Sequence, residues 1–126
     1  MTRGLLIDAD VFADYLMGEP HAREFFEQLP EGTFHYSALT RIELLSAGPC
    51  SDSGIRSSTA ALLSIGRKAD IDEAIISLAA DLKREHKLTI PDAVIAATAL
   101  HLKAELITKN VNRFKRINGL LLMKPY

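Results

Sequence analysis

Apolar and polar positions divide the chain into short apolar runs and longer amphipathic stretches. Leu5, Leu6 and Ile7 form a run that stops at Asp8, as in a buried parallel strand with a polar residue at its C-terminal end. Residues 10–17 then read as a helix with Val11, Phe12, Tyr15 and Leu16 on one side, capped by Asp10 and ended by Gly18. Pro20 suits the first turn of a second helix, whose stripe is Ala22, Phe25, Phe26 and Leu29 before a turn at Pro30 and Gly32. Residues 33–37 read as a strand and 39–47 as a helix closed by Gly48 and Pro49. Residues 50–58, rich in Ser and Gly, read as a loop, and 59–65 as a helix. Asp70 with Glu73 resembles a capping box. Ile75, Leu78, Ala79 and Leu82 then recur at helical spacing, which predicts a helix over Glu73–His86. Thr89 is a candidate cap for a helix with Pro91 and Asp92 in its start, and residues 93–102 are apolar nearly all round, so that helix is buried on several sides. Glu105–Ile107 reads as a strand, 110–117 as a short basic helix and 120–123 as a last strand. Short apolar strands alternating with helices predict an α/β fold with a mostly parallel sheet, and residues 1–126 carry no repeat or linker that would divide them.

Composition narrows the class. The 126 residues are 48% apolar and 25% charged, which fits a soluble globular chain and excludes a disordered one. A net charge of −1 excludes a uniformly basic nucleic-acid coat. The charge is unevenly spread, however. Residues 1–31 hold two basic residues against seven acidic ones, and residues 101–126 hold six basic residues against one acid. Cys50 is the single cysteine, so no intramolecular disulfide exists and a reducing compartment is expected. The apolar run between Arg3 and Asp8 is too short for a secretory core, and the stretch 93–100 is far short of a membrane span. A soluble cytoplasmic protein without a membrane partner is expected.

Three acids stand where a charge is costly. Asp8 follows an apolar strand directly, Glu43 lies among apolar residues of the third helix, and Asp92 starts the most apolar helix. Each also has an ordinary structural role: Asp8 as a helix cap, Glu43 as a helix-surface residue, Asp92 as a first-turn acid favoured by the helix dipole. Convergence of the three would make a different object, because parallel α/β sheets bind ligands beyond the C-terminal ends of their strands. Carboxylates without His or Cys partners favour a hard cation, Mg²⁺ or Mn²⁺, over zinc. His21, His35, His86 and His101 show no metal-ligand spacing, Cys50 lies in a Ser/Gly segment with no evident activating partner, and no glycine-rich phosphate loop is present. A carboxylate-held metal activates water and stabilises charge on a phosphoryl group, which suits phosphodiester cleavage, with the basic C-terminal strip holding a phosphate backbone. The strip equally fits a solvated helix face.

These motifs resemble those of PIN-domain proteins. Leu-Ile-Asp8-Ala-Asp10-Val looks like the family's opening motif, and Ser37 through Glu43-Leu-Leu its second. Ile-Pro-Asp92-Ala-Val-Ile-Ala-Ala-Thr-Ala-Leu looks like the third and Leu-Ile-Thr108-Lys-Asn110-Val-Asn112-Arg113-Phe114 the fourth. They follow the family's order across residues 5–114, and the short chain is most similar to VapC-type toxins of toxin–antitoxin pairs. The resemblance implies a three-layer α/β/α sandwich and a Mg²⁺- or Mn²⁺-dependent endoribonuclease that cuts tRNA or rRNA, forms a homodimer and is silenced by a VapB-like antitoxin. It assigns Asp8, Glu43 and Asp92 to catalysis and the metal, and Thr108 and Asn110 as supports; Asp10 stands where relatives commonly carry Asn or Ser and would add a further metal-linked oxygen. Arg113, Lys115 and Arg116 would then position the RNA backbone. Arg113 departs from the pattern, since relatives often carry an Asp before that Phe, and its presence puts a second metal ion in doubt. Two alternatives follow: a catalytically weak PIN-fold protein that binds RNA or an antitoxin, and a phosphatase, because Asp8-Ala-Asp10-Val also resembles the opening of haloacid-dehalogenase-like enzymes. No Asp or Glu follows Thr108, which leaves the phosphatase without its later acidic pair.

Overall fold

The computed structural model describes residues 4–30 and 32–126, so Arg3 and Glu31, two of the charges counted above, lie outside it. Five strands form one sheet: β1 (Leu5–Ile7), β2 (Phe34–Ser37), β3 (Arg67–Ala69), β4 (Glu105–Ile107) and β5 (Leu122–Met123). Their order is β3-β2-β1-β4-β5, and every pairing is parallel. Six α-helices connect and cover them: α1 (Ala9–Leu16), α2 (Pro20–Glu27), α3 (Ala38–Ser46), α4 (Ser53–Ser64), α5 (Glu73–His86) and α6 (Ile90–Leu102).

The period-two alternation of the central strands splits the core in two. Leu6 and Leu106, paired in register, face one cluster with Ile75, Ala79 and Leu82 of α5 and the buried Ala93–Ala99 stretch of α6. Ile7 and Ile107, the next register pair, face the other cluster with Phe12 of α1, Phe26 of α2, Leu44 of α3 and Leu63 of α4. Helices on both faces of a parallel sheet make the expected three-layer α/β/α sandwich. The small side chains of α6 let it lie close against β1 and β4. None of the described helices is long and apolar enough to cross a membrane.

Several local expectations need correction. Asp8, not Asp10, caps α1, its Oδ1 accepting from Ala9 N at 2.8 Å. The supposed loop at 50–58 is instead a 3₁₀ turn (Gly48–Ser51) and the start of α4. Asp52 caps α4 through Ile55 N, and burial of Thr59, Leu62 and Leu63 outweighs the modest helix propensity of the serines. The cap of α5 is Asp72, which accepts from Ile75 N at 3.0 Å, while Asp70 pairs with Lys68 instead. The basic helix foreseen over 110–117 shrinks to one 3₁₀ turn, Val111–Arg113, because Phe114 and Ile117 turn into the core. The last strand is only Leu122–Met123.

Candidate functional site

The strand order changes direction at β1: β2 lies on one side and β4 on the other. Connections leaving β1 and β4 diverge there, and open a crevice beyond the strand ends. The sheet register decides what stands in it. Ile7 pairs with Ile107, Asp8 N donates to Ile107 O at 2.9 Å, and Thr108 N donates to Met123 O at 3.1 Å, so Asp8 and Thr108 are the next neighbours in line. Thr108 is fully buried, and its hydroxyl donates to Asp8 Oδ2 at 3.0 Å. That hydroxyl also accepts from Asn110 N at 3.1 Å.

Asp10 lies in the first turn of α1 and reaches the same loop from the side. Its Oδ2 accepts from Asn110 Nδ2 at 2.9 Å and from Lys109 N at 3.1 Å, with the Thr108 hydroxyl at 3.4 Å. Its other oxygen, Oδ1, is buried and has no partner. Asp92 comes from the first turn of α6, where its backbone N donates to the Thr89 cap at 3.2 Å. Its side chain is 13% exposed, and Arg113 Nη1 approaches Asp92 Oδ2 at 3.5 Å. Glu43 projects from α3. With Ala9, Thr89, Pro91 and Ile95, the four acids and Arg113 line one cleft of about 510 Å³.

The charges are held under tension. Burial first, and the nearby Asp10 charge second, push the Asp8 carboxyl from 3.8 up to about 6, against the opposing hydrogen bonds from Thr108 and Ala9 and the Arg113 charge. Glu43 as a residue is exposed, yet partial desolvation at the cleft edge, followed by the Asp92 charge, raises its pKa, with Arg113 opposing. The side chains of the cleft that could ligate a metal are all oxygen donors, one buried carboxylate oxygen lacks a partner, and burial followed by a neighbouring like charge raises two of the acids. That donor chemistry fits a hard divalent cation, which relieves both costs. Among the described residues, no three His, Cys, Asp or Glu side chains stand ready gathered as a metal shell. Asp10 Oδ2 is already bonded to the 108–110 loop, and Arg113 stands at Asp92.

The structure thus brings Asp8, Asp10, Glu43, Asp92 and Arg113 to one cleft and places Thr108 and Asn110 directly behind Asp8 and Asp10. Lys115 and Arg116 do not line that cleft; Arg116 lines an adjoining cavity together with Arg113. Asp10, the extra donor that the sequence offered, carries the unpartnered oxygen. One feature had no sequence signal: a brace ties the C-terminal part of the chain to α1, where Lys109 Nζ meets Asp14 Oδ2 at 2.6 Å and Tyr126 donates its hydroxyl to the same oxygen at 2.6 Å. Burial alone raises the Asp14 pKa, but those two bonds outweigh it and hold the carboxyl below its ordinary range.

A parallel α/β/α sandwich with carboxylates from three elements at its switch point is the class that these features define. The chain matches the PIN domain over residues 5–120 and belongs to the PIN-domain family. A solved toxin–antitoxin complex from Klebsiella pneumoniae is similar in structure, with a TM-score of 0.84, 29% identity and 98% of each chain covered. VapBC2 from Rickettsia felis, bound to a DNA fragment from its promoter, matches with a TM-score of 0.81 and 22% identity over 94% of this chain and 96% of that one. VapBC-1 from nontypeable Haemophilus influenzae gives 0.76 and 24% over 96% and 97%. The last two show the fold alone. No curated protein matches the chain in sequence. These likenesses are consistent with a VapC-type PIN domain.

Proposed function

We propose that the protein is a metal-dependent endoribonuclease and the toxin of a toxin–antitoxin pair. One observation carries the reading: four carboxylates meet in one cleft, and a buried oxygen of one of them has no protein partner. Asp8, Asp92 and Glu43 would hold Mg²⁺ or Mn²⁺, with Asp10 Oδ1 as a further donor. Such an ion supplies an activated water and neutralises charge on the phosphoryl oxygens. Thr108 and Ala9 N, each donating to one oxygen, fix the Asp8 carboxylate in place at the cleft. Asn110 does the same for Asp10. Arg113, at the rim and 50% exposed, is placed to receive a phosphate and leave Asp92 when RNA arrives. Lys115 and Arg116 would hold the backbone beyond it.

The partners follow from the same reading. RNA is the substrate, with tRNA or rRNA its source. A VapB-like antitoxin is proposed because the solved neighbours are toxin–antitoxin complexes. A homodimer is proposed, supported by an apolar hollow of about 310 Å³ flanked by the exposed Ile76 and Ile90. We place the protein in the cytoplasm. A second reading, a catalytically weak PIN-fold binding protein, is favoured only by Arg113 standing against Asp92. Induced expression in a bacterial host separates the two. The nuclease reading expects growth arrest with discrete RNA fragments, both absent for Asp92→Asn. Arrest without RNA fragments would favour the binding protein.

A further inference from the structure

Beside the acidic cleft lies a second cavity of about 390 Å³, lined by His86 and Lys87 at the end of α5 and by Asn112, Arg113 and Arg116 after β4. Arg113 lines both cavities, so the two are neighbours across one residue. We propose that this cavity is a phosphate subsite, which binds the phosphodiester next to the one that enters the acidic cleft. The inference rests on the nuclease reading for its choice of ligand.

The charge pattern supports it. Three fixed cations, Lys87, Arg113 and Arg116, face a single acid, Glu85, and the Glu85 carboxylate lies 4.0 Å from His86 Nε2. Neither Lys87 nor Arg116 forms an ion pair among the described residues. A polyanion whose charges repeat along a strand uses both cavities at once: one phosphate at the acidic cleft and its neighbour between Lys87 and Arg116. Asn112 adds an amide donor and acceptor to the same wall. The strand would therefore run from the cleft across Arg113 toward the α5–α6 turn.

The backbone offers a clean probe. Lys87 ends α5 in the left-handed region, with φ 55° and ψ 38°. Glycine adopts that conformation without a steric cost, so Lys87→Gly removes the cation while leaving the helix end intact or firmer. Arg116 is exposed, so Arg116→Gln removes its charge without opening the core. Both changes are made in an Asp8→Asn background, and binding of a labelled, mixed-sequence single-stranded RNA dodecamer is measured against salt in Mg²⁺. Each variant should bind more weakly, with a log–log salt slope shallower by about 0.7, and the double variant by about 1.4. Arg67→Gln on the far edge strand should match the parent. Thermal melts check that each variant is folded. Unchanged slopes, or a parent that binds no RNA, overturn the subsite. Metal-dependent cleavage by the wild type alongside unchanged slopes leaves the nuclease reading standing without the subsite. No cleavage alongside shallower slopes removes the nuclease reading and keeps the subsite.

Discussion

Replacing Asp8 with Asn should make the metal-free protein more stable at neutral pH, at the expense of its chemistry. Asp8 is 8% exposed, and burial followed by the Asp10 charge raises its carboxyl from 3.8 to about 6. The folded chain therefore holds that proton more tightly than the unfolded chain does. The resulting stability is fully present below about pH 4 and is lost as the pH rises through about 6. A displacement of this size corresponds to about 3 kcal/mol. Asparagine removes the charge and keeps the bonds. Its Oδ1 still accepts from Ala9 N, its amide donates to the Thr108 hydroxyl, and that hydroxyl turns its proton to Asp10 Oδ2, now 3.4 Å away. Urea unfolding in EDTA measures the difference. The two proteins should be nearly equal at pH 4, and Asp8→Asn should lead by up to about 3 kcal/mol at pH 8. Saturating Mg²⁺ should stabilise the wild type and close the gap. An asparagine variant that is less stable at pH 8, or a gap of the same size at both pH values, would refute the reasoning.

Other substitutions probe the surroundings of the cleft. Thr108→Val removes the buried donor to Asp8 and should cost about 1–3 kcal/mol in urea unfolding at pH 8, with a smaller loss at pH 4, where Asp8 is protonated. Arg113→Asp should raise Mn²⁺ affinity in calorimetry, because it frees Asp92 and adds a carboxylate; weaker binding would place Arg113 outside the metal's field. Gly66→Ala should cost about 1–3 kcal/mol by thermal melt, because its Cβ would clash with the ring of the buried Phe34.

What the sequence revealed depended on whether burial left an imprint. Glu73–His86 buries one face, chiefly against α6, and shows its stripe, and Leu5–Ile7 and Leu106–Ile107 of the central strands are apolar because both sheet faces are covered. The edge strand Arg67-Lys68-Ala69 is exposed at its two basic residues, so nothing apolar marks it. Helix α4 begins with Ser53, Gly54 and Ser57–Ser58 on its exposed side, and only its later half enters the core. In the cleft, Asp8, Glu43 and Asp92 stood out one by one as acids in costly places. Their meeting depends on the sheet order and on the register that aligns Asp8 with Thr108, and neither is written in their spacing. The cavity between the end of α5 and the turn after β4 joins segments distant in sequence, so Lys87 carried no signal.

The central claim is that this cleft cuts RNA with a divalent cation. The direct measurement is digestion of total cellular RNA by purified protein free of any antitoxin, in Mg²⁺ or Mn²⁺ and in EDTA, with wild type beside folded Asp8→Asn. The account predicts discrete fragments that need the metal and vanish in the variant. Cleavage that persists in EDTA, or is equal in Asp8→Asn, would contradict it.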